Sequence, residues 1–137
     1  QNRVCPCQLM VQFSAVAWYT IRIINFGGHS DDKNIAKQEK LLLKDLVDYQ
    51  DGQVVSKTLV QNNSVSMTLF SFDKGEEIST HAAGGDAMVT VLDGTGRFTV
   101  GGEVFILSEG ETLIMPKNIP HAVYGEERFK MQLIVSF

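Results

Sequence analysis

Cysteine, proline, tryptophan and histidine are scarce here: two, three, one and three in 137 residues. The two cysteines, Cys5 and Cys7, flank Pro6, and a lone C-x-C pair supplies at most two thiolates with no second cluster to complete a zinc tetrahedron. Neither a disulfide framework nor a zinc module is therefore expected. Basic charge is also short: 12 Lys and Arg against 16 Asp and Glu leave a net charge of −4. A nucleic-acid partner, which calls for a clustered basic surface, is not expected. Long apolar runs are missing as well. The stretch from Leu9 to Phe26 is interrupted by Gln12, Ser14, Thr20, Arg22 and Asn25, whereas a membrane helix needs about twenty nearly continuous apolar residues. No P-loop, dinucleotide-binding glycine fingerprint or nucleophile elbow occurs.

The charge is unevenly spread. Residues 1–30 hold Arg3 and Arg22 and no acid, so the remaining ten bases and all sixteen acids give −6 over 31–137. The first thirty residues read as an N-terminal extension whose Val, Ile, Tyr, Trp and Phe suit an added strand. Such a strand should pair with the sheet or with a second subunit. Arg3 ahead of an apolar run, with Ala15-Val16-Ala17 behind it, also has the form of a secretory signal. That reading stays open beside the expected cytoplasmic location.

From residue 31 a single domain is expected, 44% hydrophobic composition being enough for a core. Asp31 or Asp32 can cap a helix or strap over 35–47, with Ile35, Leu42 and Leu46 near helical spacing. Two strands follow, Gln53 to Val60 and Ser64 to Phe72, split by Gln61-Asn62-Asn63. A last strand runs from Arg128 to Phe137. Between them, residues 75–125 hold short apolar strands punctuated by glycine. Asp93-Gly94 and Gly101-Gly102 read as tight hairpins, and one histidine sits near each end, His81 and His121. This pattern is all-β.

Two spaced motifs then stand out. Gly75, His81 and Gly94 fall on the first motif of the cupin family, and Gly110, Pro116 and His121 on the second. The chain resembles that family, and in its H-x-A-x-G-D-A stretch it is similar to small stand-alone members. The resemblance covers about residues 41–137. It implies a double-stranded β-helix, or jelly-roll barrel, over about 53–137, and a homodimer. The family's second histidine slot holds Ala83 and its glutamate slot holds Ala87. Asn118 stands where glycine is usual, a tolerable change because asparagine accepts left-handed backbone readily.

Two imidazoles converging inside such a barrel could hold a divalent ion such as Zn, Ni, Fe, Mn or Cu only with other atoms completing the shell. Catalytic zinc usually has three protein ligands, and iron oxygenases use two histidines and a carboxylate. Asp86 would serve as a further ligand only if a bulge resets the register, because a one-residue offset turns a strand side chain to the other face. Met88, Met115 and Met131 are soft donors, though methionines in barrels more often pack. The expected site is thus a small-molecule pocket at His81 and His121, bordered by Met115, Met131, Ala83 and Ala87, with no cofactor assigned. The alternative is a metal-dependent enzyme that uses the same two histidines with an incomplete ligand set.

Overall fold

The computed structural model describes residues 34–137. Seven strands follow one another: β1 (Val54–Gln61), β2 (Val65–Phe72), β3 (Glu77–His81), β4 (Asp86–Val100), β5 (Glu103–Ser108), β6 (Thr112–Met115) and β7 (His121–Ser136). All pairings are antiparallel, in the order β1-β2-β7-β4-β5, with β3 added to β7 and β6 to β4. Among the described residues no helix is long and apolar enough to cross a membrane.

Closure into a jelly-roll barrel depends on the two long strands, which each serve both halves. The end of β7 pairs with β2 and with the start of β4, while its beginning pairs with β3 and with the end of β4. The β4–β7 register shifts between Val91 and Asp93 and again between Gly94 and Gly96. Irregularities of this kind bend a strand and increase its twist. Asp93-Gly94 is therefore not the hairpin that the sequence suggested but the corner of a continuous strand. Gly94 has φ +72° there, and a Cβ on it would overlap the Arg128 carbonyl. Gly101-Gly102 does form its hairpin, joining Val100 to Glu103 in register.

The interior is apolar because alternate residues of every strand face inward. Phe72, Phe98 and Phe129 lie at its centre, with Val89, Val91, Met115 and Met131 around them. Phe72 stacks on Phe129 at 4.5 Å between centroids, and Phe98 meets Phe129 edge-on at 6.0 Å. A second cluster lies on the outer face, where Leu59, Leu69, Val55 and Val47 are buried with Ile35, Leu43, Leu46 and Leu92 packed against them.

Residues 34–50 cover that outer cluster as an extended strap, which decides between the helix and the strap expected over 35–47. Only Leu43–Leu46 forms a 3₁₀ turn, and it has no side-chain cap. Asn34 and Gln38 adopt positive φ of 56° and 59°, which stops an α-helix. Consecutive leucines suit a strap whose contacts follow the sheet surface and not a helical stripe. The strap is fastened at several points: Tyr49 donates to Asp93 at 2.6 Å, Ser71 to the Asp48 carbonyl at 2.7 Å, and Lys130 to the Lys44 carbonyl at 2.7 Å. Burial, then the bond to Asp93, pushes the Tyr49 hydroxyl well above its ordinary pKa.

Candidate functional site

His81 closes β3 and His121 opens β7, and the two are direct partners across that rung. How His81 comes to face its partner follows from an irregularity. Ile78 packs on the interior cluster, and a residue three further along a regular strand would point outward. Between Ile78 and His81, however, three steps of β3 oppose two of β7, from Val123 to His121. The bulge returns His81 to the inner face. The ring centroids are 4.4 Å apart with planes at 66°.

Each ring is oriented by a carbonyl two residues before it. His81 Nδ1 lies 2.9 Å from the Ser79 carbonyl, and His121 Nδ1 lies 3.0 Å from that of Ile119. A carbonyl can only accept, so in the neutral ring the proton sits on Nδ1 and the Nε2 lone pair is left bare. Neither Nε2 has a hydrogen-bond partner among the described residues. His121 is 3% exposed and His81 is half-buried. Burial lowers the His121 pKa from its ordinary value of 6.5, and the neighbouring His81 lowers it further, while the Ile119 bond pulls the other way.

The remaining residues expected at the site occupy two kinds of position. Ala87, Met115 and Met131 are buried in the interior cluster, which also includes Val123, two residues from His121 on the same face. Ala87 is the register partner of Met115, and Met131 that of Val91. Ala83 is different. It lies in the loop between β3 and β4, half-buried, and what it offers is a carbonyl that accepts the Asn118 N–H at 3.0 Å.

Asp86 points away from the pair. No irregularity separates it from the buried Ala87, so the two side chains take opposite faces, and Asp86 is exposed. Met88 is likewise on the outer face and 37% exposed. Among the described residues no three or more of His, Cys, Asp and Glu converge. Two imidazoles with alanines in the remaining slots do not fit a catalytic metal centre with three protein ligands. His29, Cys5 and Cys7 lie outside the described residues.

Sequence reasoning found the histidines through their motif but missed what orients them. The Ser79 and Ile119 carbonyls belong to the backbone and leave no residue signature. The one local sign was Asn118, which does take the left-handed conformation, at φ 62°, in the turn that leads into His121.

Residues 68–137 match the cupin domain family. Among solved structures, the chain is similar to a conserved protein of unknown function from Streptococcus pyogenes. Identity is 42%, coverage is 80% of this chain and 96% of that one, and the TM-score is 0.76. A cupin superfamily protein from Desulfitobacterium hafniense is 31% identical, over 79% of this chain and 99% of its own, with a TM-score of 0.75. A cupin 2 conserved barrel domain protein from Leptotrichia buccalis is 49% identical over 69% of this chain but only 46% of its own length, with a TM-score of 0.67. No curated protein matches the chain.

Proposed function

This chain belongs to the cupin domain family, and from that premise we propose that it is a small-molecule binding module whose ligand engages His81 and His121. The observation that carries this reading is the pair of bare Nε2 atoms. Both Nδ1 protons are already spent on backbone carbonyls, so the two rings in their neutral form offer hydrogen-bond acceptors close together. A fitting ligand brings N–H or O–H donors to the two rings, and an apolar body to suit the apolar interior of which Met115 and Met131 are part. The missing ligand slots favour this reading over an enzyme built around a metal.

The test combines metal analysis and melting on protein prepared without chelator. A small molecule that binds the folded state raises the melting temperature, increasingly so as its concentration exceeds the dissociation constant. The binder reading expects donor-bearing compounds to raise it in the wild type and not in the His81→Ala, His121→Ala double variant. Near-stoichiometric metal that disappears in the double variant would favour the enzyme instead.

A homodimer belongs to the same reading, supported by one feature of the outer face. The strap covers only part of the sheet. Starting at Val60 and Met67, which pack on the cluster beneath the strap, the row Val60, Met67, Ile134, Met88 and Ile114 runs through successive register partners across β1, β2, β7, β4 and β6. Ile114 is 53% exposed in this apolar row. Met88 and Ile114 form the exposed end of the row, apolar surface of a sort that marks protein interfaces, and a second copy presents a matching one.

A further inference from the structure

The loop that delivers His121 to its partner, residues 116–120, has little sheet pairing of its own. Its backbone is held at three points. Lys117 N–H donates to Asp86 Oδ1 at 2.8 Å, Asn118 N–H to the Ala83 carbonyl at 3.0 Å, and Gly101 N–H to the Pro120 carbonyl at 2.8 Å. Within the loop, Ile119 N–H returns to the Pro116 carbonyl at 3.2 Å. Asp86 supplies the single side chain among these anchors, and it acts from the outer face of the barrel. Two residues after Lys117 comes the Ile119 carbonyl, the group that fixes the proton on His121 Nδ1. Two residues before His121, then, the backbone orientation decides which ring nitrogen is bare.

We propose that Asp86 is a positioning residue for the histidine pair: by clamping the Lys117 amide it holds the Ile119 carbonyl against His121 Nδ1 and so keeps Nε2 bare on the inner face. The inference concerns the ring's tautomer and orientation, and it holds whatever the pair binds. It also assigns a role to the carboxylate that stands one position from the family's glutamate slot. A carboxylate on that side cannot reach an ion between the rings, but it can hold the loop that presents one of them.

Nitrogen-15 NMR of the imidazoles at pH 8 tests this directly, with amide hydrogen exchange on the same samples. Wild type should show His121 as one tautomer, protonated on Nδ1, with the Lys117 amide protected. In Asp86→Ala the tautomer preference should weaken by roughly fivefold, the equivalent of one ordinary hydrogen bond. Asp86→Asn, which keeps an acceptor oxygen, should restore it. Tyr49→Phe, which loses a strap bond far along the chain, should lower stability and leave the His121 spectrum unchanged. The proposal is overturned if Asp86→Ala retains the wild-type tautomer, if Tyr49→Phe shifts it equally, or if Asp86→Asn fails to rescue. A rapidly exchanging Lys117 amide in the wild type overturns it without any variant.

Discussion

A methyl group placed on Gly96 would stand 2.7 Å from the ring of Phe129. The two residues lie where β4 turns its corner against β7, and Phe129 at that point stacks on Phe72 in the centre of the barrel. Gly96→Ala is therefore expected to cost about 1–3 kcal/mol, the usual penalty for overpacking a well-filled core. Urea denaturation checks it. Gly94→Ala should be worse, since it adds a strained positive φ to an overlap with the Arg128 backbone.

Loss of the Tyr49 hydroxyl should loosen the strap without opening the barrel. Tyr49→Phe removes the bond to Asp93, for an expected loss of about 1 kcal/mol. Hydrogen exchange should then rise in residues 43–50 before it rises in β4 or β7. Leu69→Ala, emptying a fully buried position beneath the strap, should cost about 2–5 kcal/mol.

Stability should fall on mild acidification, and His121 sets the direction. Its pKa is lowered on folding, chiefly by burial, so the unfolded chain takes up a proton before the folded one does. The contribution is whole above the unfolded value near 6.5, starts to disappear as pH drops below it, and stops changing once the folded ring also protonates. Unfolding free energies measured from pH 8 to pH 5 should fall less steeply in His121→Gln than in the wild type. An identical slope in both would show that the buried ring does not carry the effect.

Light scattering tests the apolar row across the outer sheet. The wild type is expected at twice the chain mass, and Ile114→Glu, changing a residue that is 53% exposed, should give the single-chain mass, still folded by circular dichroism but with a lower melting temperature that no longer depends on protein concentration. A wild type that runs as a monomer at micromolar concentration would remove that row as a self-association surface.

Much of this fold can be read from the sequence because alternation survives where strands are regular. Val65, Met67 and Leu69 alternate with Ser66, Thr68 and Phe70, and β2 ends within a residue of its expected bounds. Gly101-Gly102 was legible as a turn because it is one. Asp93-Gly94 likewise supplies a positive-φ glycine but serves a corner within a strand; only long-range pairing with β7 distinguishes the two. The spacing of Ile35, Leu42 and Leu46 left helix and strap both open, because local spacing cannot show that the sheet beneath selects an extended strap.

The histidine pair was legible as two motif positions, not as a geometry. Its inward aim depends on the bulge between Ile78 and His81, and its tautomers depend on two backbone carbonyls. Neither has a side-chain signature. Asp86 was noticed for its charge, while its bond to the Lys117 amide is a tertiary fact that joins residues 31 positions apart.

The most direct measurement is a nitrogen-15 NMR titration of the wild type at pH 8 with small neutral alcohols and primary amides that share an apolar body. The account predicts that both rings begin as Nδ1–H tautomers, and that the compounds that raise the melting temperature move the Nε2 signals of His81 and His121 together. Finding either ring protonated on Nε2 at the outset, or stabilising compounds that leave both Nε2 signals in place, would contradict it.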